Sequence, residues 1–149
     1  MREAIRLASA NVENGGGPFG AVIARGGEII ATGVNRVTAN CDPTAHAEVS
    51  AIRAAAQKLG TFNLSGCDIY SSCEPCPMCL GAIYWARIAH IFYVNSQADA
   101  AKIDFDDSFI YRQIEKPIGC RAIPESQLLH SEALKSFEAW TNKEDKTKY

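Results

Sequence analysis

His46 and Glu48 stand two residues apart, and Cys76 and Cys79 stand three apart about thirty residues downstream. Pro75, just before the cysteine pair, suits the first turn of a helix, where its missing N–H is no loss and its φ is already helical. Cysteines at i and i+3 then leave the same face of that turn. The electropositive start of a helix lowers thiol pKa and favours the thiolates that a metal needs. Two thiolates and one imidazole are a normal protein ligand set for a catalytic zinc, with the fourth position left to water. Glu48 lies about 200° from His46 on an ideal helix, so both meet one centre only if it sits off the helix end. Asp42-Pro43-Thr44 opens a helix at that point. Glu48 therefore reads as a carboxylate that shuttles protons beside the metal and is not itself a ligand. Zinc lowers the pKa of its bound water from about 15.7 toward neutrality, which makes zinc-bound hydroxide the nucleophile. Glu48 would take that water's proton and return it to the substrate.

Other uses of these residues compete. A closed structural zinc site needs a fourth ligand, and Cys73 is the nearest, although it should sit at a strand end before the helix turn. A redox Cys-x-x-Cys leaves His46 and Glu48 without a purpose. His90 and His130 lie in or beside apolar runs and read as packing or surface residues. Met78, Tyr84 and Trp85 sit at helical spacings that read as core.

The elements that must hold this site follow from periodicity and punctuation. Ile5, Ala8 and Val12 mark one face of a helix over 2–13, stopped by Gly15-Gly16-Gly17-Pro18. Strands over 21–25 and 28–34 are joined by Gly26-Gly27, the signal for a tight antiparallel hairpin. Ala45, Val49, Ile52, Ala56 and Leu59 continue the helix that Gly60 closes. A short strand over 67–71 leads to the helix at Pro75, which runs to about Arg87. The apolar stretch 88–94 reads as a strand buried on both faces, and strand–helix–strand predicts parallel pairing with a right-handed crossover. A turn of helix is predicted near 99–102, residues 105–109 show no period, and 121–123 reads as a last strand or edge. Ala133, Leu134, Phe137 and Trp140 mark a C-terminal helix before a charged tail. The expected fold is a single α/β domain over 1–149, a three-layer α/β/α sandwich on a mixed five-stranded sheet.

The bulk numbers agree with a small enzyme. The 149 residues suffice for one core, and 47% hydrophobic with 21% charged residues is ordinary for a soluble domain. A net charge of −2 and no basic block argue against a nucleic-acid partner. No signal peptide or membrane span is read at the N-terminus or elsewhere, and six cysteines are too few for a disulfide scaffold. The expectation is a cytoplasmic protein with reduced thiols and no membrane partner.

The stretches Gly17-Pro18-Phe19-Gly20-Ala21-Val22, Asp42-Pro43-Thr44-Ala45-His46-Ala47-Glu48 and Ser72-Cys73-Glu74-Pro75-Cys76-Pro77-Met78-Cys79 resemble the cytidine-deaminase-like superfamily. H-x-E with P-C-x-x-C is the signature of its zinc-dependent members. With Gly81-Ala82-Ile83-Tyr84-Trp85-Ala86-Arg87 and Phe105-Asp106-Asp107-Ser108-Phe109 added, the chain resembles the compact bacterial guanine deaminases. The resemblance implies a hydrolase of a cyclic amidine C–N bond in purine metabolism, converting guanine to xanthine and ammonia by attack at C2. It implies zinc on His46, Cys76 and Cys79, with Glu48 carrying protons. It further implies that Asn35 hydrogen-bonds the purine, Phe19 lies against its face, and the Ala47 N–H binds a ring or carbonyl atom. Asp107 would accept from guanine N–H groups, the chemistry that a donor edge requires. Turns or caps are the ordinary uses of Asn35 and Asp107. The resemblance also implies a homodimer in which residues 141–149 are swapped, Tyr149 closing the partner's pocket. Deamination of cytosine, adenine or guanosine on the same scaffold is the competing function, and a non-catalytic zinc-binding module is a third.

Overall fold

The structure is a computed structural model and describes residues 1–148. Its elements in chain order are α1 (Arg2–Glu13), β1 (Gly20–Arg25), β2 (Glu28–Val34), α2 (Val37–Asn40), α3 (Ala47–Leu59), β3 (Asp68–Cys73), α4 (Pro77–Trp85), β4 (His90–Asn95), α5 (Gln97–Ala101), α6 (Ser108–Ile114), a 3₁₀ turn (Ile118–Cys120) and α7 (His130–Asn142). They form two compact units, one to Phe109 and one from Ile110 onward.

The first unit is built on a sheet in the order β2-β1-β3-β4. β1 runs antiparallel to β2 and to β3, and β3 runs parallel to β4. The hairpin forms where two glycines predict it: Gly26 and Gly27 both take positive φ, at 58° and 87°, as a tight primed turn demands. Two further glycines fix the layers. A Cβ on Gly20 would lie 2.5 Å from the Ala4 carbonyl oxygen, so α1 packs on that face. A Cβ on Gly33 would lie 2.3 Å from the Ala47 carbonyl oxygen, so α3 packs on the face that Gly33 presents. Gly20 pairs with Val34, so the neighbouring Gly33 faces the other way. α1 and α3 therefore cover opposite faces, giving helix, sheet and helix layers. The core between sheet and α3 joins Ala21, Ile23 and Ile69 to Ala47, Ala51 and Ala55. Alanines at i, i+4 and i+8 are what let α3 approach the backbone of β2 so closely.

Several expectations are corrected. α1 buries Ala4, Ala8 and Asn11, while Ile5 and Val12 are exposed. Close approach to Gly20 selects the small side chains for the buried face. α3 begins at Ala47 with His46 as its N-cap, and α4 begins at Pro77 with Cys76 as its N-cap. β4 is not buried on both faces; Phe92, Tyr93 and Val94 are exposed. Tyr84 and Trp85 are not core residues, being 75% and 70% exposed. The sheet has four strands among the described residues, not five. Residues 121–123 are irregular: Pro124 follows without a backbone donor, and three residues are too few for a strand to hold itself.

The second unit, taken by itself, contains α7, and none of its residues from 110 to 148 is buried. Leu128, Leu129, Phe137 and Trp140 are all exposed. No helix among the described residues is long and apolar enough to cross a membrane.

Candidate active site

Two helix starts meet at the site. His46 and Cys76 are both N-caps in extended conformation, at φ −69° and −64°, and Cys79 follows in the first turn of α4. His46 Nδ1 lies 3.6 Å from Cys76 Sγ and 3.5 Å from Cys79 Sγ. The one donor atom from each of the three lies within 4.8 Å of the other two. A tetrahedral centre with Zn–N near 2.0–2.1 Å and Zn–S near 2.3 Å has an N···S edge of about 3.6 Å. The donors already stand at that edge length, so the triad fits zinc.

The electrostatics point the same way. The Cys76 thiol is held down to about 4, first by its hydrogen bond from Cys79 and then, against the cost of burial, by the His46 ring. Cys79 is pushed up, first as the partner of Cys76 and next by burial. His46 is raised above its ordinary value, chiefly by its hydrogen bond with Cys76. Two adjacent thiols cannot both ionise in a partly buried site without a cation, and a divalent metal lets them do so.

Glu48, two residues along α3, is 5% exposed and lies directly beside this triad. Its Oε1 accepts from Ser71 Oγ at 2.8 Å, and its Oε2 accepts from Cys79 Sγ at 3.3 Å. Burial pushes its carboxyl pKa up, the first of the causes acting on it. Cys73 stands apart from the donor cluster. It ends β3, its Sγ faces the Ser96 carbonyl at 3.8 Å, and burial raises its thiol to about 11.

Of the residues singled out for substrate contact, Phe19, Asn35 and Asp107 lie on loops and Ala47 opens α3. Asn35, at the end of β2, is buried, and its Oδ1 accepts from the Val37 N–H at 3.3 Å. Its backbone N–H donates to the Phe19 carbonyl at 3.1 Å, which ties those two positions together. Ala47 is fully buried and opens α3, where N–H groups have no carbonyl partner inside the helix. Asp107 is half-buried and raises the pKa of both His46 and Cys73 through its charge. Tyr149 lies outside the described residues. His90, read as packing or surface, is exposed and pairs with Asp68 at 2.9 Å.

The sequence assigned no role to four residues that the structure brings to the site or its supports. Ser71 holds Glu48. Phe105 packs edge-on against Phe19 with ring centroids 4.9 Å apart. Gln97 donates to Asp107 Oδ1 at 2.6 Å. Asn11, buried in α1, donates through Nδ2 to the carbonyls of Gly17 and Asn35 at 2.8 and 2.9 Å. It thereby fixes the Phe19 loop and the end of β2 together. No local pattern announces these four; the only clue was a polar residue at a core-facing position of α1.

Residues 1–95 match the family described as the cytidine and deoxycytidylate deaminase zinc-binding region. The chain is 54% identical to guanine deaminase of Bacillus subtilis (strain 168) over 150 residues, spanning 100% of this chain and 96% of that protein. It superimposes on the X-ray structure of guanine deaminase from Bacillus subtilis with a TM-score of 0.96, covering 99% and 95% of the two chains. A second solved structure, in complex with 2,6-diaminopurine, is 35% identical with a TM-score of 0.69 and covers 71% and 60%.

Proposed function

The chain belongs to the zinc-dependent cytidine and deoxycytidylate deaminase family, and from that membership we propose that it hydrolyses guanine to xanthine and ammonia. The reaction type rests on one piece of geometry: a buried carboxylate, Glu48, beside three donors spaced for zinc. The substrate rests on likeness over the full chain to the guanine deaminase of Bacillus subtilis. Zinc on His46, Cys76 and Cys79 supplies the Lewis acidity that makes water nucleophilic near neutral pH.

This chain's own residues do the rest. Asn35 and the Ala47 N–H orient the purine through its polar edge, and Phe19, propped by Phe105, lies against its face. Asp107, a half-buried carboxylate held by Gln97, accepts from guanine N–H groups. Glu48, steadied by Ser71, takes a proton from the attacking water and delivers it to the ring nitrogen next to C2. It carries the second proton to the departing amine, so the C2–N bond breaks, a C2–O bond remains and ammonia leaves. Three thiols in and beside the site suit a reducing compartment, the cytoplasm.

Product analysis tests the function. Purified protein is given guanine, guanosine, adenine and cytosine, and each is followed for ammonia and the keto product. Conversion of guanine alone is expected. Preferred turnover of another base keeps the zinc chemistry and overturns the pocket reading.

The working unit, in this reading, is a homodimer with exchanged C-terminal segments, Tyr149 closing the partner's pocket. Support comes from the second unit, which buries none of residues 110–148 within one chain despite its exposed leucines and aromatics. Deleting residues 141–149 is expected to lower kcat/KM for guanine at least about tenfold, the scale of removing a buried aromatic contact. Sedimentation and steady-state assays of the truncated chain check it. Unchanged activity and unchanged mass would remove the exchange.

A further inference from the structure

Asp107 cannot recognise a purine unless its carboxylate is held in one orientation, because it sits on a loop before α6 and is only half-buried. One neighbour holds it. Gln97 Nε2 donates to Asp107 Oδ1 at 2.6 Å, and only the amide nitrogen of Gln97 can face a carboxylate oxygen at that separation. Oδ1 is thus engaged by the protein, which leaves Oδ2 for the ligand. Gln97 is itself anchored. It is the first residue of α5, and its backbone N–H donates to Glu74 Oε2 at 3.0 Å. Glu74 lies between β3 and Cys76, and its own N–H donates to the Asn95 carbonyl at 2.8 Å. Ser96 and Asp99 close the α5 start with a reciprocal capping box, fixing the backbone from which Gln97 projects. A continuous run of hydrogen bonds therefore joins the segment that leads into Cys76 to Asp107.

We propose that Gln97 is a positioning residue for the purine: it fixes the Asp107 carboxylate at a set distance from the segment that leads into Cys76, with Oδ2 presented to the substrate. This rests on the reading that Asp107 contacts guanine, so its test separates the two.

The test is a double-mutant cycle in the full-length, zinc-loaded protein, with Gln97→Met, Asp107→Ala and the pair. Methionine keeps the length of the side chain and loses the amide. The expected result is a fall in kcat/KM of about ten- to hundredfold for Gln97→Met, the scale of losing one hydrogen bond to a charged group. Asp107→Ala should fall at least as far. In the Asp107→Ala background the Gln97 change should cost less than about twofold, because the carboxylate that its amide holds is gone. Zinc content should stay at the wild-type value throughout. Gln97→Glu, which sets a second carboxylate against Asp107, should be as impaired as Gln97→Met or more so. Gln97→Ala replaces Gln97→Met if that variant is insoluble, since it leaves the backbone bond to Glu74 in place. Additive losses would mean that Gln97 serves the fold on its own account and would overturn the proposal. An impaired Asp107→Ala beside a normal Gln97→Met overturns it while leaving the Asp107 reading intact. Wild-type kcat/KM in Asp107→Ala overturns both.

Discussion

Glu48→Gln is expected to stay folded and zinc-loaded while losing about 10²–10⁴-fold in kcat, the usual worth of a positioned general acid–base group. The substitution is close to isosteric. Ser71 Oγ, which donates to Glu48 Oε1 at 2.8 Å, can donate equally to a carboxamide oxygen. The candidate metal donors are Nδ1 of His46 and the sulfurs of Cys76 and Cys79, none of which the change touches. What disappears is the ability to take up and release a proton within 3.3 Å of Cys79 Sγ, beside the metal donors. In the proposed mechanism Glu48 acts on protons in flight and not on the resting purine, so KM should move far less than kcat. The measurement pairs steady-state kinetics with zinc content and a thermal melt. A variant that keeps both its zinc and its activity would return the chain to the reading of a zinc-binding module without turnover.

The metal site was legible because its signal is local. Cys76 and Cys79 share a helix turn, and His46 and Glu48 share another, so spacing alone implied that the centre sits at helix starts. The hairpin was legible for the same reason, since Gly26-Gly27 determines the turn without help from the rest of the chain. Faces were harder. An apolar run such as that of β4 says that cover is needed but not where it comes from, and Phe92, Tyr93 and Val94 are left exposed. Tyr84 and Trp85 misled in the same way, because helical spacing assigns a face but not its partner. On α1 the decisive fact was Gly20, whose bare backbone draws Ala4 and Ala8 inward and turns Ile5 and Val12 out. Ser71, Gln97, Phe105 and Asn11 act through contacts between residues 6 to 86 positions apart. Periodicity carries no information on that scale, so residues of this kind appear only with the fold.

Cys79→Ser should abolish both zinc retention and deamination, whereas Cys73→Ser should preserve both, and the contrast decides how many protein ligands the metal has. The two cysteines are close in sequence and both buried, so burial alone does not separate them. Geometry does. Cys79 Sγ lies 3.5 Å from His46 Nδ1, inside the donor cluster. Cys73 Sγ instead faces the Ser96 carbonyl at 3.8 Å, at the end of β3 and outside the cluster of donor atoms. A serine at position 79 offers a hydroxyl that does not ionise near neutral pH, leaving His46 and Cys76 as two ligands where a stable catalytic site needs three. The melting temperature should fall as well, since zinc bound to the native state stabilises it in proportion to its affinity. Metal content and thermal melts of the two variants, with guanine turnover, make the comparison. Loss of zinc from Cys73→Ser would mean a closed four-ligand site with no position for water, and the hydrolytic reading would fall with it.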